Sequence, residues 1–185
     1  MNLSEVRDQF PALKKKVFLD AACVSLAPLT AIDAVKRFLD SAALCTERSA
    51  TEHHIAMDDA MGRARPEAAR LINASENEIA LVESTSRGLS VAASSIPLER
   101  GDRVLICDLE FMEVAIPWVQ RRDELGLEID VVPHHKGELR VEDIAERIGP
   151  KTRVVAVSSV QWTNGYRVDL AALSKLCRDH DIWLV

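Results

Sequence analysis

From residue 78 onward the chain repeats one pattern: a short, continuous apolar run, a polar turn, then a segment with helical spacing. "DRVLICD" precedes "VAIPWVQRRDEL", "EIDVVPH" precedes "RVEDIAERI", "TRVVAVSSV" precedes "DLAALSKLCRDH", and "DIWLV" opens another run. "EIALVE" followed by "RGLSVAASSI" reads as an earlier instance. Runs of Val, Ile and Leu without polar alternation mark strands covered on both faces. Alternated with helices, they specify an α/β fold: a mainly parallel sheet flanked by helices.

Before this alternation come two helical patterns. Ile32 to Leu44 places Val35, Phe38, Leu39 and Ala42 on one face, with Thr30 or Asp33 expected to cap it. Ile55 to Ile72 places Met57, Met61, Ala64, Ala68, Leu71 and Ile72 on one stripe. Pro66 interrupts it, so it either kinks the helix or starts a new one from its first turn.

Charge narrows the function classes. The formal net charge of −6 gives no support for nucleic-acid binding, and the short run Lys14-Lys15-Lys16 reads as a solvated face. Cys23, Cys45, Cys107 and Cys177 are scattered without a CxxC pair, against a zinc site or a disulfide framework. The opening "MNLSEVRDQFPALKKK" does not resemble a signal peptide, and no apolar run is long enough to span a bilayer. The expectation is a cytoplasmic protein.

In open α/β sheets, ligands bind beyond the carboxyl ends of the strands. The residues there are Glu83 to Gly88, Asp108 to Phe111, and Gln161 to Gly165. Ser84, Thr85 and Ser86 precede a helix. They serve either as ordinary N-caps or as an anion cradle built on free N–H groups and hydroxyls. On this stretch alone capping is preferred. Phe111 is either a loop anchor or a face for a ring ligand. Gln161 either bonds the loop backbone or donates to a ring oxygen. Gly165 reads as a turn glycine. The pairs His53-His54 and His134-His135 lack partners at metal-ligand spacing and read as solvated or loop-capping residues. Cys107 reads as a small buried hydrophobe.

Taken in order, these stretches resemble the class V pyridoxal 5'-phosphate (PLP)-dependent aminotransferases, a family that includes cysteine desulfurases, selenocysteine lyases and isopenicillin N epimerase-like proteins. The resemblance rests on "FPALKKKVFLDAACVSLAP", "ARLINASENEIALVESTSRGLSVAAS", "GDRVLICDLEFMEVAIPW" and "VVPHHKGELRVEDIAERIGPKTRVVAVSSVQWTNGYRVDLAAL". It implies part of the type I PLP (aspartate-aminotransferase-like) fold, with residues 1–30 an N-terminal arm or small-domain segment and 31–185 the N-terminal part of the PLP-binding large domain. It implies a homodimer acting on a small amino acid or amine. Thr85 and Ser86, helped by Ser84, take the place of the phosphate-binding residues, with Gly88 easing close approach. Phe111 stands where desulfurases carry a ring-stacking histidine. Gln161 matches a polar residue reaching toward the ring hydroxyl; the Asn found in desulfurases one position later is Trp162 here. Ala22, Cys23 and His54 fall at substrate-side positions.

By the same resemblance, the Asp that pairs with the pyridine nitrogen and the Schiff-base lysine would both lie beyond Val185. None of Lys14, Lys15, Lys16, Lys36, Lys136, Lys151 or Lys175 stands in a family lysine motif. The chain thus resembles the truncated N-terminal half of such an enzyme, without turnover of its own. The strand "DIWLV" would then miss a neighbour, and exposed apolar edges promote association. Two other readings remain: a non-catalytic α/β module that binds a partner chain, and a Rossmann-like nucleotide domain, which lacks the glycine fingerprint.

Overall fold

A computed structural model describes residues 2–185. Two compact units emerge, one ending at Leu81 and one from Val82 to Val185.

The first unit is helical. Helix α1 (Leu3–Asp8) opens with a reciprocal cap: the Glu5 N–H donates to Asn2 Oδ1 at 2.9 Å and the Asn2 N–H to Glu5 Oε2 at 2.8 Å. Helix α2 (Leu29–Leu44) begins directly after Pro28 and has no side-chain cap. The expected caps, Thr30 and Asp33, both lie inside it, because Pro28 presets an extended entry and starts the helix earlier. Asp33 instead faces Lys36 at 3.8 Å. Helix α3 (Ala50–Gly62) is capped by Ser49, whose Oγ accepts from the Glu52 N–H. Helix α4 (Ala64–Ile72) follows at once, with Pro66 in its first turn. Of the two roles open to Pro66, starting a new helix is the one taken. Asn73 ends α4 at φ 56°, a left-handed conformation that Asn tolerates. Among the described residues of this unit, only Ala69 is buried.

The second unit is the α/β body. Helix α5 (Thr85–Ser95) leads to β1 (Arg103–Cys107), α6 (Met112–Leu125), β2 (Glu128–Val132), α7 (Val141–Ala145), β3 (Thr152–Ala156), α8 (Leu170–Asp179) and β4 (Trp183–Leu184). The strands pair in parallel in the order β2-β1-β3-β4. In the two central strands, β1 and β3, Val104, Leu105, Val154 and Val155 are all fully buried, as their unbroken apolar runs require. One face packs Ala93 and Ile96 of the α5 region and Trp118 of α6 against Val104, Ile106, Val154 and Ala156. The other packs Ile144 of α7 and Leu173 and Cys177 of α8 against Leu105, Val132 and Val155.

One expected strand does not form. Residues 79–82 of "EIALVE" run without strand pairing, and Leu81 and Val82 are exposed. Apolar composition gives a segment strand propensity, but a neighbouring backbone and a covering layer decide whether a strand exists. None of β1 to β4 pairs with it.

Cys107 is buried as expected, and burial pushes its thiol up to about 11. Cys177 is also buried and its thiol raised by desolvation, whereas Cys23 and Cys45 are exposed. A disulfide-exchange reagent at about pH 8 should therefore label Cys23 and Cys45 quickly in the native chain. Cys107 and Cys177 should react only after denaturant is added. Fast native labelling of either, mapped by peptide mass, would contradict this packing.

Candidate cofactor site

The topology marks one place for a ligand. After β1 the chain passes to α6 on one face of the sheet; after β3 it passes to α8 on the opposite face. Because β1 and β3 are neighbours, their outgoing loops diverge and leave a crevice at the carboxyl end of the sheet. Helix α5 enters β1 through a short turn, so it runs opposite to that strand. At about 1.5 Å per residue, its eleven residues carry its start back to the end where β1 finishes. Ser84–Ser86, Phe111 and Gln161 thus belong to one end of one unit.

Each is held differently. Ser84 is a true N-cap: its Oγ accepts from the Arg87 N–H at 3.2 Å. Thr85 and Ser86 are the first two helical residues, and among the described residues their N–H groups and hydroxyls have no protein partner. One hydroxyl of the cluster serves the helix, while those of Thr85 and Ser86 are engaged by neither cap nor core. Gly88 lies in the first turn of α5. A Cβ at that position would meet only Val82 Cγ2 at 3.4 Å, an ordinary contact.

Phe111 is the N-cap residue of α6, and its ring stands edge-on to Trp162 with centroids 5.2 Å apart at 74°. Trp162 is pinned by its Nε1–H, which donates to the Leu109 carbonyl at 3.1 Å. The Gln161 side chain is 1% exposed and does not bond the loop backbone. Its Nε2 donates to Glu110 Oε1 at 2.7 Å, and its Oε1 is buried without a partner. Its backbone closes the following turn with Tyr166 and with Gly165, whose φ of 73° makes it the expected turn glycine.

Sequence reasoning passed over Glu110. Its carboxylate also accepts from the Ser158 N–H at 2.8 Å and the Ser158 Oγ–H at 2.6 Å. No spacing rule links residues 110 and 158; the one signal was a carboxylate placed directly beside Phe111 at a strand end. His134 is held by the carboxylate of Asp108. Its N–H donates to Asp108 Oδ1 at 2.9 Å, and its Nδ1 lies 3.1 Å from the same carboxylate.

Ala22, Cys23 and His54 belong to the first unit. Ala22 and Cys23 lie in an exposed turn, and His54 Nε2 sits 3.2 Å from Asp58 Oδ2 one helical turn on in α3. A cleft of about 580 Å³ between α2 and α3 is lined by Arg37, His53 and Arg63 and includes none of the expected site residues. It is an open gap between two helices that have no fully buried residue.

The strand-end residues fit a phosphorylated aromatic ring. Unpaired N–H groups at a helix start suit an anion. Phe111 offers a face. The orphaned Gln161 Oε1 lacks a donor such as a hydroxyl.

Comparisons with known proteins agree with this architecture. The aminotransferase class-V family model matches residues 17–185. A cysteine desulfurase of Salmonella dublin is 29% identical over 96% of this chain and 47% of its own length, and one of Salmonella typhimurium matches equally. The chain spans about half the length of the curated relatives it matches. The structure of the cysteine desulfurase CsdA from Escherichia coli superposes with a TM-score of 0.86 at 24% identity, over 100% of this chain and 48% of that one. The apo cysteine desulfurase of Thermococcus onnurineus NA1 gives 0.83 at 22%, over 100% and 47%. A variant of C-DES, solved with glycine covalently linked to its PLP cofactor, gives 0.86 at 21%, over 96% and 47%. The fold is thus the N-terminal half of the fold those enzymes share. With a family match from residue 17 to residue 185, the chain belongs to the aminotransferase class-V family.

Proposed function

We propose that the chain is the N-terminal portion of a PLP-dependent transferase or lyase that acts on a small amino acid or amine. One observation carries this reading: the open start of α5 and the aromatic pair Phe111–Trp162 gather at the switch-point end of one sheet. Residues 1–30 are assigned to an arm or small-domain segment and 31–185 to the cofactor-binding domain. The intact protein is proposed to be a cytoplasmic homodimer.

PLP, when bound, supplies an electron sink for charge developing at the substrate's α-carbon. The residues of this chain hold and orient it. Thr85 and Ser86 receive the phosphate on backbone N–H groups and hydroxyls, where the positive end of α5 adds attraction. Phe111 covers one face of the ring and excludes water from it. Gln161 offers its unpaired oxygen to the ring hydroxyl. Ala22, Cys23 and His54 remain the substrate-side candidates. Phe111 carries no ring nitrogen, so it cannot move a proton as a histidine does there. This favours a transferase or epimerase-like reaction over desulfuration.

The test is a PLP titration followed by induced circular dichroism of the cofactor. Replacing both Thr85 and Ser86 with Ala should weaken binding about tenfold or more, at about 1.5–3 kcal/mol for a hydrogen bond to a charged group. Ser84→Ala should act mainly on helix stability, by about 1 kcal/mol. Saturable PLP binding that the double variant leaves unchanged would move the phosphate elsewhere. No saturable binding at all would favour a non-catalytic α/β module.

A further inference from the structure

We propose that Glu110 is a positioning residue. Its carboxylate clasps the loop after β1 to the loop after β3 and so fixes the Phe111–Trp162 platform. This rests on the cofactor reading above for its functional meaning, but not for its geometry.

Three donors meet one carboxylate: the Ser158 N–H, the Ser158 Oγ–H and Gln161 Nε2. All three are neutral and all three come from the segment leaving β3. Among the described residues no salt-bridge partner faces Glu110. An ionised acceptor bonded by several short neutral donors holds them more firmly than a neutral one does. A fourth bond runs the same way, from Trp162 Nε1 to the carbonyl of Leu109. The two loops therefore meet on both sides of Glu110 in the sequence, at Leu109 and through the ring of Phe111.

The clasp has two consequences for a ligand. Phe111 cannot swing away from the crevice without breaking its edge contact with a Trp that is itself tethered. The Gln161 amide is also oriented. Its NH₂ end faces the carboxylate, so its oxygen is the end left without a partner. A switch-point crevice in an open sheet is made by loops that diverge, and diverging loops need a tie if they are to present one rigid face.

The experiment has two independent readouts. Without cofactor, hydrogen–deuterium exchange followed by peptide mass reports the loop over residues 157–167. Glu110→Ala should raise exchange at the Ser158 and Gln161 amides by tenfold or more. Glu110→Gln, which keeps an acceptor oxygen, should restore most of the protection. With PLP, Glu110→Ala should weaken binding and reduce the induced circular dichroism. Combined with Phe111→Ala, it should add little further loss. A purely structural role would loosen the loop in both Glu110 variants alike and would add to Phe111→Ala in full. Unchanged exchange in Glu110→Ala, or full additivity with Phe111→Ala, overturns the proposal. If the unsubstituted chain binds no PLP, the cofactor reading falls, while the exchange result still decides the clasp.

Discussion

Trp118→Ala should lower the unfolding free energy of the α/β unit by about 3–5 kcal/mol, the range for truncating a buried large aromatic. Trp118 is 1% exposed and is the largest fully buried side chain. It joins α6 to the central strands through Val104, Ile106, Val154 and Ala156, and it shares that layer with Ala93 and Ile96. Its removal leaves a cavity that four elements would have to close at once. Typical domains are stable by about 5–15 kcal/mol, so much of the total is at stake. Trp118→Phe is the informative partner. It keeps an aromatic body, and it deletes an indole N–H that is buried without an acceptor. Leaving a donor unpaired costs about 1–3 kcal/mol, which offsets the lost ring volume. The Phe variant should therefore stay within about 1 kcal/mol of the unsubstituted chain. Urea unfolding followed by circular dichroism separates the two cases. A small change in Trp118→Ala would show that α6 is not seated on the sheet as described.

The second large effect is chemical. With PLP and an amino-acid substrate, the 185-residue chain should show no normal turnover, and borohydride reduction should mark no single lysine stoichiometrically. The positions of the lysines support this. Lys151 precedes β3, at the end of the sheet opposite the crevice, where its carbonyl accepts from the Arg103 N–H. Lys175 lies along α8, paired with Asp179. Lys14 and Lys36 pair with Asp8 and Asp33 in the first unit. Lys136 alone follows a strand at the crevice end of the α/β unit. It sits in the exposed turn between His135 and Glu138, at φ 53°. A solvated lysine on an exposed turn reacts with aldehydes only weakly and without selectivity. Reduction and peptide mapping that place one pyridoxyl group per chain on a single lysine would defeat this expectation. It would also identify the anchor directly.

The α/β body was readable because its signals are local. The buried runs "DRVLIC" and "TRVVAV" and the helical spacing of "DLAALSKLCRDH" each report their own environment. Pro66 announced a break in the second helical stripe, and Cys107 behaved as a small buried hydrophobe. What failed depended on a second segment. "EIALVE" has strand composition but no pairing neighbour. The expected caps on α2 were overtaken by Pro28, whose fixed backbone starts the helix sooner. Glu110 stayed invisible because its three donors stand about fifty residues away in sequence. Strand-end reasoning found the places where a ligand can sit, but the bonds that shape the crevice arise only when β1 and β3 lie side by side.

Apart from Ala69, no described residue up to Leu81 is fully buried; Phe10, Leu13, Phe18, Phe38 and Met57 are half-buried, and Val17, Leu19 and Leu71 stand almost fully in solvent. The heat capacity of unfolding rises with apolar surface newly wetted, and surface already wet adds nothing. Calorimetry on this chain would therefore see a heat-capacity step set mainly by residues 82–185. The helices α1 to α4 would contribute backbone hydrogen-bond enthalpy with only a small hydrophobic signature. A change in the size of that step, rather than in the melting temperature, is thus the quantity that would register the first unit gaining a covering surface.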